Sequence, residues 1–298
     1  MSDVVVVDEV SAEVVREVQD LIDAAAAADG QPAVSEQGRL QLTGGPREGV
    51  RHLLLRHEGV LVGYAQLEDV DPVEAPAGEL VVHPSHRGRG YGRKLGQALL
   101  DTSGKRLRLW AHGGHPAARH LAQILGLTLF RELRQMRCPL SELAPEEPRY
   151  PTGVTVRTFE PGADDAAWLA LNAAAFAHHP EQGALTQRDL DDRKQQPWFD
   201  PHGFFLAERD GRLVGFHWTK VHSAEQLGEV YVLGVAPEAQ GSGLGRALTQ
   251  CGLRHLARDR GLETAMLYVD ADNLPAVAVY ERLGFRTHET DLMYRTES

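Results

Sequence analysis

Leu233-Gly234-Val235-Ala236-Pro237-Glu238-Ala239-Gln240-Gly241-Ser242-Gly243-Leu244-Gly245-Arg246 is the stretch on which the reading of the chain turns. An apolar strand closes on a proline, a glycine-rich turn follows, and a helix opens. The other half of the chain repeats the arrangement in Leu80-Val81-Val82-His83-Pro84 leading to Arg87-Gly88-Arg89-Gly90-Tyr91-Gly92. The first turn of a helix leaves four backbone N–H groups unpaired, and the helix dipole favours an anion there. Glycine permits the close approach of a pyrophosphate and supplies positive φ where it is needed. Each turn is therefore expected to cradle phosphate through backbone amides. Neither has the Lys-Ser/Thr ending of a P-loop or the glycine spacing of a dinucleotide-binding fold.

Outward from these turns the two halves keep matching. His57-Glu58-Gly59-Val60-Leu61-Val62-Gly63-Tyr64 and Arg209-Asp210-Gly211-Arg212-Leu213-Val214-Gly215-Phe216 both read as strand, acidic-Gly turn and strand. Both halves close on a helical stretch ending in Leu125-Gly126-Leu127 or Leu283-Gly284-Phe285, followed by a last strand. An early helix is predicted in each, over Ala12 to Ala28 before Gly30, and over Asp164 to Ala177. The polar segment from His178 to Gly203 predicts a loop or short helix over a site. Two homologous α/β domains follow, 1–144 and 152–298. The boundary is expected within Ser141 to Pro151, where Pro145, Glu146, Glu147, Pro148 and Pro151 disfavour a continued helix or central strand.

A chain of 298 residues has room for two such domains, and 42% hydrophobic with 24% charged residues is a soluble globular composition. No apolar run reaches the roughly 20 residues that cross a bilayer, and Met1 to Val10 does not read as a secretory signal. Cys138 and Cys251 have no metal or redox spacing and are expected as reduced thiols of a cytoplasmic protein. The net charge of −11 argues against nucleic acid as a partner. It suits solubility and tolerates a cationic substrate. Among the 14 histidines, His178-His179 and His112/His115 lack the spacing and carboxylates of a catalytic metal site, so no metal is expected. The chain is expected to act as a monomer.

With these motifs in place, the chain resembles the GNAT superfamily of N-acetyltransferases, whose acetyl-CoA pyrophosphate sits on such a glycine-rich loop. The resemblance covers both halves. It implies a tandem α/β (α+β) fold, each domain a mixed, mostly antiparallel central sheet flanked by helices, with acetyl-CoA as co-substrate. It is sharpest in His179-Pro180-Glu181-Gln182-Gly183, Gly215-Phe216-His217-Trp218-Thr219-Lys220, Gly228-Glu229-Val230-Tyr231-Val232-Leu233-Gly234-Val235 and Leu267-Tyr268-Val269-Asp270. In the first half, Glu79-Leu80-Val81-Val82-His83-Pro84 and Trp110-Ala111-His112-Gly113 also match. These segments are similar to tandem members that acetylate the cysteinyl amine of a cysteine–glucosamine–inositol conjugate.

Acetylating an amine from a thioester needs a base for the amine proton, donors for the oxyanion and an acid for the departing thiolate. The resemblance implies Glu229 as the base, directly or through a water, and Tyr280 as the acid. It implies substrate contacts at Glu36, Glu181, Lys220, Glu229 and Tyr268. Glu36 lies in the first half, so the substrate is expected in a cleft between domains. Acetyl-CoA contacts are implied at Leu80, Val81, Val82 and Arg87 to Gly92 (Arg87, Gly88, Arg89, Gly90, Tyr91, Gly92). In the second half they are implied at Leu233, Gly234, Val235, at Gln240 to Arg246 (Gln240, Gly241, Ser242, Gly243, Leu244, Gly245, Arg246), and at Asn273, Leu274, Pro275, Ala276, Val277 and Ala278. The N–H of Val235 is a candidate oxyanion donor. Aligned on loops and Leu-Gly pairs, the first half has Pro76 for Glu229, His115 for Asn273 and Ala122 for Tyr280. It is therefore expected to bind acetyl-CoA or CoA without turnover. Two alternatives remain at this level: a tandem acetyltransferase of another small amine or a protein N-terminus, and an acyl-CoA sensor.

Overall fold

The computed structural model describes residues 2–71, 73–141, 147–177 and 179–297. The chain divides into two compact units, Met1–Leu133 with Glu289–Ser298, and Arg134–His288. These units are not the consecutive stretches 1–144 and 152–298 that the sequence suggests. The change of unit falls inside a strand, and the last ten residues join the first unit. Of the expected linker, Pro145 and Glu146 lie outside the described residues.

In unit 1 the elements are β1 (Ser2–Val7), α1 (Ala12–Asp29), α2 (Glu36–Thr43), β2 (Val50–His57), β3 (Val60–Glu68), β4 (Ala77–Val82), α3 (Tyr91–Thr102), β5 (Arg108–Ala111), α4 (Pro116–Ile124) and the start of β6 (Leu127–Pro139). The sheet runs β1-β2-β3-β4-β5 and then takes the chain's last strand. Pairing is antiparallel from β1 to β4 and parallel between β4 and β5. Side chains alternate across a strand, so Leu53 and Leu55 pack with Leu95 and Leu99 of α3. Leu54 faces the other way, onto Val18, Leu21 and Ile22 of α1.

Unit 2 repeats the plan with β7 (Val154–Thr158), α5 (Asp165–Ala175), α6 (Pro180–Gly183), α7 (Gln187–Lys194), β8 (Phe204–Arg209), β9 (Arg212–His222), β10 (Leu227–Val235), α8 (Leu244–Arg254), β11 (Thr264–Asp270), α9 (Leu274–Arg282) and the start of β12 (Arg286–Thr296). Its strand order is β7-β8-β9-β10-β11-β6. The hairpin turns form as the sequence predicts. Glu58 and Gly59 have φ of 51° and 83°, and Asp210 and Gly211 have 51° and 73°. Positive φ at both central residues is the turn whose twist suits a hairpin.

The two final strands trade places. Leu292 to Arg295 of β12 pair with Ala111 to Arg108 of β5, and Leu292 and Tyr294 fill the unit 1 core. The second half of β6 instead lies beside β11, with Met136, Cys138 and Leu140 in the unit 2 core. Each unit is thus a mixed, mostly antiparallel sheet with helices on its faces.

Candidate active site

Strand splay opens the site. In unit 2, β10 pairs with β11 in parallel only from Leu227–Thr264 to Val230–Leu267. Beyond Val230 no pairing continues between them among the described residues. On the other side, the Ala236 N–H donates to the Val214 carbonyl at 2.9 Å. Bonding alternates along an antiparallel ladder, so the Val235 N–H turns away from β9 and into the gap. Unit 1 is built alike: β4 and β5 pair only at Ala77–Arg108 and Gly78–Leu109, and the His83 N–H donates to Val62 O at 3.0 Å. The open end of a parallel pair, at a helix N-terminus, is where α/β folds take ligands.

The glycine-rich turns lead from those gaps into α3 and α8. Gly90 and Gly243 stand at the N-cap positions with φ of 80° and 88°, and no side chain caps either helix among the described residues. By contrast Ser11, Ser35, Thr186 and Asn273 cap α1, α2, α7 and α9. The first-turn amides of α3 and α8 are thus left to an anion. A Cβ at Gly90 or Gly243 would meet nothing within 4 Å, so positive φ, and not crowding, is what requires glycine there. Gln240 and Arg87 both reach back to the strand end, Gln240 Nε2 to Val235 O at 3.4 Å and Arg87 Nε to Val82 O at 3.1 Å. The Arg87 guanidinium is also clamped by Asp29 at 2.7 and 2.8 Å. That pair holds the Asp29 carboxyl below its ordinary range. The extra basic charge that the sequence gives this loop is therefore balanced from within at Arg87.

One sheet face of unit 2 gathers the expected acceptor residues. Glu229 on β10 sits opposite Lys220 on β9 and Met266 on β11, and Tyr268 is two residues on from Met266. Glu229 and Lys220 are buried, whereas Tyr268 is 42% exposed. The Lys220 Nζ lies 4.6 Å from the Trp198 ring centre and 5.1 Å from that of Tyr231. The Arg193 Nε in turn donates to the Tyr231 hydroxyl at 2.8 Å. His222 Nε2 lies 2.6 Å from Glu229 Oε2. The Tyr268 hydroxyl accepts from Gln135 Nε2 at 2.9 Å. Glu181 lies in α6, which Asn172 and Gln182 tie to α5 through bonds of 2.7 and 3.0 Å.

Tyr280 and Asn273 sit on α9. Tyr280 packs edge-on against Phe285, with ring centres 5.9 Å apart, and burial pushes its phenol pKa up. It therefore keeps its proton across the neutral range and can donate it. Asn273 Oδ1 accepts from Ala276 N at 3.3 Å, making it the helix cap. His115 takes the same part on α4, its Nδ1 accepting from Ala117 N at 3.1 Å. The alignment of these two positions thus survives in three dimensions.

The alignment of Glu229 does not. The pairing of β10 with β9 shifts register between Val230 and Val232, a bulge at Tyr231, while β4 pairs with β3 without a shift. Glu229 lies opposite Lys220, and the hairpins equate Lys220 with Glu68, which lies opposite Ala77. Ala77, and not Pro76, is therefore the counterpart of Glu229. The extra residue of a bulge cannot be counted from sequence.

Unit 1 fills its corresponding face with its own polar groups. The Tyr64 hydroxyl donates to Gln66 Oε1 at 3.0 Å, the Gln66 amide donates to Gln41 of α2, and Gln41 donates to Glu68. Glu36 begins α2. The helix is pinned where Ser35 donates to Glu79, from its N–H at 3.0 Å and its hydroxyl at 3.1 Å. His112 is wedged between Glu79 and Asp291, at 2.9 and 3.0 Å. Desolvation opposes its charge, but hydrogen bonds to Asp291 and Glu79 outweigh this and push the imidazole pKa up to about 10. A group whose folded pKa is raised stabilises fully below its unfolded value, about 6.5, and that stability is lost as pH rises through the folded value. The wild-type chain should therefore lose more Tm between about pH 6.5 and pH 10 than His112→Gln does. Equal losses would deny that the clamped imidazolium stabilises the fold.

His222, Trp198 and Tyr231 are the neighbours that sequence reasoning missed. Period-2 alternation alone would have placed His222 on the face of Lys220. A model of the Acetyltransferase (GNAT) family matches residues 17–127 and again residues 169–285. A mycothiol acetyltransferase of Streptomyces avermitilis is 78% identical over 93% of this chain and 90% of its own. Another, from Streptomyces bingchenggensis, is 72% identical over 98% of this chain and 96% of its own. Among solved structures, a tandem GNAT protein from the clavulanic acid biosynthesis pathway superposes with a TM-score of 0.75 at 20% identity, covering 100% of this chain and 98% of the other. Two family matches in one chain, each spanning a unit with the splayed strands and amide-rich helix start, settle membership: the chain belongs to the GNAT family of acetyltransferases.

Proposed function

We propose that the chain transfers the acetyl group of acetyl-CoA to the cysteinyl amine of cysteine–glucosamine–inositol, giving mycothiol and CoA. The observation that carries this reading is the face of unit 2 on which Glu229, Lys220 and Tyr268 lie beside the splay of β10 and β11. Its strength is the identity of 72% to 78% with relatives named mycothiol acetyltransferase. Glu229 takes the proton of the attacking amine. The Val235 N–H, aimed into the gap, stabilises charge developing on the acetyl oxygen. Tyr280 gives its proton to the departing thiolate. Glu181, Lys220, Tyr268 and Glu36 are assigned to the hydroxyls and ammonium of the acceptor, with carboxylates accepting and Lys220 donating. The contact residues set out above from Leu80 to Gly92 and from Leu233 to Ala278 hold acetyl-CoA.

Catalysis is assigned to unit 2, and unit 1 is assigned acetyl-CoA or CoA binding without turnover. Support comes from Ala77 and Ala122 at the positions of Glu229 and Tyr280, and from the unbulged β4. We take the chain to work as a cytoplasmic monomer with no nucleic-acid partner, in keeping with its net charge of −11 and two free cysteines. The test is the full chain with acetyl-CoA and a panel of amines. The reading requires the cysteinyl conjugate to be preferred over an aminoglycoside and over an N-terminal peptide.

Two substitutions probe the parts separately. Valine at Gly243 must hold a β-branched residue at φ of 88°, which costs on the order of 1–3 kcal/mol. Gly243→Val should raise KM for acetyl-CoA about tenfold, while Gly90→Val should leave turnover within about twofold. A steady-state titration of acetyl-CoA reads both, and equal damage from the two would contradict the division of labour. Trp198→Leu removes one wall of the Lys220 box. A desolvated cation–π contact is worth about 2 kcal/mol, so KM for the acceptor should rise about 3- to 30-fold with KM for acetyl-CoA unchanged.

A further inference from the structure

Each turnover loads Glu229 with a proton that it must then lose. An ammonium acceptor gives up two protons as the nitrogen–carbon bond forms and the carbon–sulfur bond breaks. One ends on the CoA thiol and the other leaves to solvent. The Glu229 carboxylate is poorly placed to release a proton by itself, because its side chain is 7% exposed. It also stands mid-sheet between Lys220 and Met266. His222 is the last residue of β9, pairs with Leu227 at the start of β10, and shares the face of Lys220. Its ring is 27% exposed, and its Nε2 lies 2.6 Å from Glu229 Oε2. One end of this pair is thus buried at the acceptor face and the other reaches the rim.

We propose that His222 is the proton outlet of Glu229, a positioning and relay residue that no substrate need touch. The inference rests on the reading of Glu229 as base. Glu229 takes the amine proton while His222 is the neutral Nδ1–H tautomer. That proton then crosses the 2.6 Å contact from Oε2 to the Nε2 lone pair and leaves an imidazolium. The ring, 27% exposed, gives its Nδ1 proton to bulk water and is restored to the neutral Nδ1–H tautomer by proton exchange with solvent. The carboxylate is then ready for the next amine. No oxidant, metal or further reactant is involved. Lys220 is a charged group on this face opposite Glu229, and its ammonium lies over the Trp198 and Tyr231 rings. Imidazole is suited to the task because both ring nitrogens can carry a proton near neutral pH.

The test uses the full chain with acetyl-CoA and the cysteinyl conjugate. Glutamine at this position can still hydrogen-bond to Glu229 but cannot pass a proton, so His222→Gln separates relay from support. His222→Gln and His222→Ala should each lower kcat about 10- to 100-fold, with KM for acetyl-CoA unchanged. Added imidazole should restore several-fold activity to His222→Ala and none to a Glu229→Gln chain. Full turnover in His222→Gln overturns the relay, as does a loss in His222→Ala that imidazole does not repair. Glu229→Gln run alongside separates the two ideas. Its full turnover would remove the base and the relay together, whereas its loss beside an active His222→Gln removes the relay alone.

Discussion

Glu229→Gln should lower kcat about 10²- to 10⁴-fold while acetyl-CoA binding stays within about twofold, the usual worth of a positioned general base. The substitution keeps shape and hydrogen-bonding capacity and removes only basicity. Glu229 lies below the splay, at a position still paired to β9 and β11, and the glycine-rich turn that holds the diphosphate is carried by a different segment. Binding and proton removal are therefore separable. An α-amino group has an ordinary pKa of about 7.7–8.0, so much of it is protonated at neutral pH and cannot attack. Raising the pH should consequently recover part of the lost rate, because it supplies neutral amine without help from the protein. Single-turnover rates at two pH values, beside a titration of acetyl-CoA, measure all of this. A kcat within twofold of wild type would assign the base elsewhere.

Tyr280→Phe is expected to cost about 10- to 100-fold in kcat, less than the loss of the base. A thiolate is a competent leaving group, with a thiol pKa of about 8.5, so an acid helps its departure without being indispensable. Burial raises the Tyr280 phenol pKa, which keeps the proton on the ring for donation. Phenylalanine preserves the edge-on contact with Phe285, so stability should change little. The effect should shrink with acyl donors whose thiols are more acidic, since these leave unaided. Comparing kcat across such donors in both forms checks the assignment. A loss that does not depend on the leaving group would make Tyr280 a packing residue.

Much of this architecture was legible in sequence because the signals are local. Asp210-Gly211 and Glu58-Gly59 force positive φ and so declare their hairpins. The glycine-rich turns declare a helix start that no side chain caps among the described residues. The positions of Lys220, Glu229 and Tyr268 on one face follow from period-2 alternation once the strands are in register. What escaped is non-local. β6 and β12 carry similar alternating patterns, and nothing within either says which sheet it completes, so the exchange of the final strands between the compact units could not be read locally. The bulge at Tyr231 depends on how β10 lies on β9, and it moved the counterpart of Glu229 from Pro76 to Ala77. The clamp on Arg87 comes from Asp29, far away in the chain, and so escaped composition. The contact between Lys220 and Trp198 likewise joins elements whose approach only the folded chain decides.

The identity of the acetylated atom tests the account most directly. Full chain, acetyl-CoA and cysteinyl-glucosaminyl-inositol are combined, and the product is fragmented in a mass spectrometer beside a count of CoA thiol released. The account predicts one acetyl group on the cysteinyl nitrogen for each CoA freed, and almost none with Glu229→Gln. An unaltered conjugate, or acetyl on a sugar hydroxyl, would contradict it.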